Sequence, residues 1–83
     1  MNAHVPQGHL APRTGDIWKE VDPRFSRHIM VLGVDDSGKV RLKTCYRAPE
    51  TVGWAAFGPV RKAKPERFNG KRGGYSLVIR STT

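Results

Sequence analysis

The sequence predicts an all-β domain, and three observations lead there. Nine Gly and six Pro in 83 residues punctuate the chain too often for a helical bundle. The apolar residues fall in short runs with a period near two rather than at helical spacing. Residues suited to tight turns, such as Asp22-Pro23 and Asp36-Ser37-Gly38, separate those runs. Length allows one small domain and no cleft between two lobes.

Residues 1–13 (MNAHVPQGHLAPR) hold two Pro, two His and no apolar period, and are expected to be a flexible lead-in. The domain is expected over 14–80, with 81–83 as a tail. A first strand begins near Asp16-Ile17-Trp18 and ends before Asp22-Pro23-Arg24, a turn in which Asp22 or Arg24 would bond the backbone. The run from His28 to Asp35 is nearly continuous in apolar residues and predicts a strand buried on both faces. A hairpin turn at Asp36-Ser37-Gly38-Lys39 leads to a third strand, Val40 to Arg47. There Val40, Leu42, Thr44 and Tyr46 would point inward and Arg41, Lys43, Cys45 and Arg47 outward.

Residues 48–58 (APETVGWAAFG) predict a long connection, either a helical turn or a hairpin loop. A basic fourth strand follows over Pro59–Lys64. Pro65-Glu66-Arg67-Phe68-Asn69 predicts one helical or 3₁₀ turn, since Pro suits its start and Asn-Gly its end. After a basic turn at residues 71–74, Tyr75 to Arg80 forms a fifth strand with Tyr75, Leu77 and Ile79 on one side. Five short strands with one turn before the last is the order of a small SH3-like barrel. An OB-like barrel is the alternative; it places a helix between strands three and four, where Gly53 and Gly58 disfavour one.

The opening Gly15-Asp16-Ile17-Trp18 with Asp22-Pro23-Arg24, and the closing Lys64-Pro65-Glu66-Arg67-Phe68 with Gly74-Tyr75-Ser76-Leu77-Val78, resemble a group of small uncharacterised bacterial and phage proteins. The resemblance spans residues 15–79. It implies an SH3-like all-β barrel and a bacterial or mobile-element origin, and it implies no activity.

No catalytic constellation is legible. His4 and His9 lie in the lead-in, His28 sits beside Arg27 without a carboxylate, and Cys45 is a lone mid-strand thiol. The acids Asp16, Asp22, Asp35 and Asp36 suit turns better than acid–base pairs. One Cys excludes a disulfide framework and a multi-cysteine zinc site, so no metal or cofactor is expected, and the chain is not read as an enzyme. No stretch approaches the ~20 apolar residues of a membrane span, and no secretory signal is visible. A cytoplasmic protein is the expectation.

Charge carries the functional signal. Fifteen Lys+Arg face seven Asp+Glu, a net charge of +8. Residues 1–38 carry net −1 and residues 39–83 net +9. Arg41, Lys43 and Arg47 on strand three, with Arg61, Lys62, Lys64, Arg67, Lys71 and Arg72 beyond it, are expected to merge into one basic surface. Trp54 and Phe57 beside it can stack on bases, anchor a protein interface or plug the end of a barrel. These eleven residues are the candidate site. The sequence therefore points to a nucleic-acid-binding module (DNA or RNA) held through phosphates. The alternative is a phage or mobile-element interaction module, such as an inhibitor of a host nucleoprotein, that binds an acidic protein surface.

Overall fold

The core gathers on one face of a five-stranded sheet. The computed structural model describes residues 11–25, 27–48 and 53–81. In chain order these form β1 (Ile17–Glu20), β2 (His28–Val34), β3 (Val40–Ala48), β4 (Gly53–Ala63), a 3₁₀ turn (Pro65–Arg67) and β5 (Tyr75–Ile79). Every pairing is antiparallel, in the order β4-β3-β2-β1-β5. The all-β class and the single turn before the last strand agree with the sequence. The sheet, however, is not closed into a barrel: β4 and β5 are its two edges.

Local chemistry explains the tight turns. After β2, the Asp35 carboxylate accepts the backbone N–H of Ser37 at 2.9 Å and of Lys39 at 3.0 Å, and Gly38 supplies a φ of 87°. After β1, Asp22 accepts the Arg24 N–H at 2.9 Å, the turn expected from the Asp-Pro-Arg sequence.

Segment 64–74 carries the chain across the sheet. β4 ends with Ala63 opposite Val40, whereas β5 starts with Tyr75 opposite Glu20, at the other end of the strands. The crossing lays Phe68 on the sheet, where it meets Trp18 edge-on at 4.9 Å and Tyr75 at 4.9 Å. Trp18, Ile29, Val31, Val40, Leu42, Ala63, Phe68 and Tyr75 form the buried cluster, with Leu77 against it. Each large side chain buried there contributes roughly 1.5–3 kcal/mol. Gly74 permits the crossing to dock, because a Cβ there would run into the Arg67 carbonyl.

Three expectations are corrected, two of them by register shifts. β2 is not buried on both faces: Ile29 and Val31 are buried, Met30 and Leu32 only partly, and Val34 is exposed. Leu32 is an extra residue between the Val31–Leu42 and Gly33–Arg41 pairs, so β2 bulges there. β4 begins at Gly53, six residues before the expected Pro59, because residues 53–57 pair with β3 from Ala48 to Thr44. Strand thus occupies most of the segment read as a loop; residues 49–52 lie outside the described set. Opposite Lys43, β4 spends the extra residues Gly58 (φ 81°), Pro59 and Val60 on its own bulge. Ile79, expected inside, is exposed after the shift between Ile17 and Trp18.

Asp16 is the buried charge that ties the chain ends together. Its carboxylate accepts the Arg13 N–H at 2.7 Å and the Ser81 N–H at 2.6 Å, and pairs with the Arg80 guanidinium at 3.4 Å. Arg80 also donates to the Ala11 carbonyl at 2.8 Å. The lead-in expected through residue 13 is therefore bonded to the sheet from Ala11 onward; residues 1–10 and 82–83 lie outside the described set. Asp16→Ala leaves the Arg13 and Ser81 N–H groups without their acceptor and the largely covered Arg80 guanidinium without its counter-charge. We expect it to lower unfolding free energy by about 3–5 kcal/mol, read from urea denaturation. A wild-type midpoint would show the tie to be dispensable.

Candidate nucleic-acid interface

Opposite the core lies the outer face of the sheet, and its chemistry follows from alternation. On β3 the core takes Val40 and Leu42, so Arg41, Lys43, Cys45 and Arg47 face outward, as the sequence predicts. Register adds their neighbours: Lys62 opposite Arg41, Met30 opposite Lys43, His28 and Ala56 flanking Cys45, and Trp54 opposite Arg47. On β1, Lys19 stands beside His28.

The Trp54 and His28 rings meet with centroids 4.9 Å apart at an interplanar angle of 42°. They belong to β4 and β2, which lie on either side of β3 and therefore roughly 10 Å apart. The two rings must meet over β3, above Cys45. That roof explains why Cys45 is only 4% exposed on a strand whose neighbouring outward residues Arg41 and Arg47 are exposed. Burial pushes its thiol up to about 11. Burial, and secondarily the Lys19 ammonium, hold His28 below its ordinary value of 6.5. The expected inward side chain Tyr46 is instead half exposed. It lies on the core side, but beyond the crossing segment, with its ring 5.7 Å from that of Phe57.

The eleven candidate residues do not form one surface. Arg41, Lys43, Arg47, Trp54 and Lys62 share the outer face. Arg61 stands opposite Leu42 on the other side, where its guanidinium donates to the Thr44 hydroxyl at 3.3 Å; Phe57, opposite Thr44, is on that side too. Lys64, Arg67, Lys71 and Arg72 belong to the crossing segment. There Arg67 donates to the Gly73 carbonyl and lies 4.9 Å from the Tyr75 ring centre, and Gly73 bonds Val21 at the end of β1. Lys71 and Arg72 are thus separated from β3 by the width of two strands. Sequence reasoning passed over Lys19 and set His28 aside, because only strand pairing brings them beside Cys45.

The face carries unneutralised charge. Glu20 is the only acid in the five strands, and it stands opposite Tyr75 on the core side, bonded to Arg27 at 2.7 Å. Lys62 is paired with Asp35 at 2.9 Å. Among the described residues no carboxylate pairs with Lys19, Arg41, Lys43 or Arg47. None of them forms a metal-ligating cluster, and no helix among them is long and apolar enough to cross a membrane. No protein-family model matches the chain, and no curated protein or solved structure matches it significantly.

Two measurements check this geometry. Because the thiol is roofed and its proton held tightly, Cys45 in the folded protein should alkylate far more slowly at about pH 8 than in urea, and Trp54→Ala should speed it. Equal rates folded and unfolded would mean that no roof exists. For His28 the folded value is depressed, so the unfolded chain binds the proton more readily. Stability is then full above about 6.5 and falls as pH drops from there toward the folded value. The urea midpoint should decline from about pH 7.5 to about pH 5.5, and His28→Gln should flatten that decline. An identical decline in the variant would assign it to other groups.

Proposed function

We propose that the protein is a small non-enzymatic binding module that holds nucleic acid through phosphate contacts on the outer face of its sheet. One observation carries this: Lys19, Arg41, Lys43 and Arg47 share that face, and no described carboxylate neutralises them. When four such cations neutralise phosphates, they release the counterions condensed on the nucleic acid, which makes binding favourable and salt-sensitive whatever the base sequence. We further propose that the domain is a cytoplasmic SH3-like module. The strand order, the 3₁₀ turn before β5 and the return of β5 to β1 support that topology.

A second function is favoured by a different observation. Tyr46 and Phe57, each 50% exposed, form an aromatic pair on the opposite side of the β3–β4 hairpin. With Arg61 nearby, this pair suits an acidic protein partner, in the manner of an inhibitor of a host nucleoprotein.

Fluorescence anisotropy with a labelled mixed-sequence oligonucleotide separates the two. We expect micromolar affinity at low salt and a slope of log K against log salt of about −3, for roughly four phosphates. Replacing Arg41, Lys43 and Arg47 together by Gln should remove most of that slope, whereas replacing Lys71 and Arg72 should leave it nearly intact. Absence of binding at low salt would remove the nucleic-acid function.

A further inference from the structure

The row of outward side chains on β3 is interrupted in a specific way. Arg41, Lys43 and Arg47 occupy three of its four outward positions, and the fourth, Cys45, lies under the Trp54–His28 roof. Cations therefore stand on both sides of an aromatic platform along a single strand. Lys43 and Arg47, on either side of Cys45, are about 13 Å apart along the strand, a span of about two extended nucleotides. Lys19 closes the platform from the β1 side.

The centre of this ring of cations is apolar. Trp54 and His28 are half-buried, and half-buried Met30 lies opposite Lys43. A duplex presents phosphates and sugars to such a face and keeps its base planes stacked inside, so the ring surfaces would be left against a polar backbone. A single strand can turn a base out onto an aromatic side chain while its neighbouring phosphates reach cations on either side. The His28 proton is lost readily, so near neutral pH the imidazole adds a neutral ring to the platform rather than a further charge.

We propose that the outer face binds single-stranded nucleic acid in preference to duplex, with one base stacked on the Trp54 indole and the flanking phosphates held by Arg47 and Lys43. This rests on the phosphate-binding function proposed above and specifies the substrate class for the same face. Trp54 is a binding residue here, and its role differs from that of Trp18, which is fully buried in the core.

The test uses the 83-residue chain and three labelled ligands of equal length: a mixed-sequence single strand, its duplex, and an abasic strand with the same phosphodiester chain. At one low salt concentration the single strand should bind at least about tenfold more tightly than either of the others, the factor that one base–aromatic stack supplies. Binding should quench the fluorescence of Trp54 while buried Trp18 continues to emit. Trp54→Ala should reduce the single-strand affinity to that of the abasic strand, and Trp54→Phe should restore much of it. Circular dichroism and thermal melting identify any variant that fails to fold, and the comparison of the three ligands with wild-type protein needs no variant. Duplex or abasic strand binding as tightly as the single strand, with the salt slope retained, would overturn single-strand preference and leave the phosphate-binding function standing. Failure of all three ligands to bind at low salt would remove that function as well.

Discussion

The fold hangs on how β5 is held. It is an edge strand paired only with β1, yet it contributes Tyr75 to the core and places Leu77 against it. Its start is fixed by the crossing segment, through Gly73 and Gly74 bonded to Val21. Its end is fixed by the Asp16 carboxylate, which takes the N–H of Ser81 and pairs with Arg80. A buried carboxylate is costly unless donors surround it, and here the donors come from both chain ends. The cost of burying that charge is thus converted into a specific closure between the first strand and the last. If β5 loosens, Tyr75 leaves Phe68, Phe68 loses one of its two aromatic neighbours, and Trp18 is opened to water.

Charge is sorted by position as well as by count. Asp16, Asp22 and Asp35 sit at strand ends and turns, where they accept backbone N–H groups, and Glu20 faces the core side. Their guanidinium and ammonium partners are drawn to those places too: Arg80, Arg24, Lys62 and Arg27. Lys19, Arg41, Lys43 and Arg47 repel one another across the outer face, which slightly disfavours the folded state. A folded surface that keeps such repulsion is suited to a polyanion, whose binding relieves it.

What the sequence showed was local. Turn residues marked the hairpin at 35–39, Pro65 and Asn69-Gly70 bracketed the 3₁₀ turn, and alternation placed Arg41, Lys43 and Arg47 together. What it hid was set by pairing between distant residues. Gly53 and Gly58 read as loop glycines, but the partners from Thr44 to Ala48 hold residues 53–57 in a strand. Asp16 read as a turn residue because its donors lie three and sixty-five residues away. Cys45 and Tyr46 have burial opposite to what simple alternation implies, since a roof covers one and the crossing segment stops short of the other. Lys19 and His28 joined the site only through the order β1-β2-β3, which no local pattern contains.

The bulge at Gly58-Pro59-Val60 bears on what the free edge of β4 offers to another strand. β4 is an eleven-residue edge strand with half-exposed Phe57 and Val60, the type of edge that recruits another copy into a growing cross-β stack. Midway along it, Gly58 turns the backbone to a positive φ and Pro59 offers no N–H, so neither half presents more than a few consecutive donors to an incoming strand. An edge interrupted in this way is a poor template for a growing stack, although the hairpin leaves Tyr46 and Phe57 half exposed.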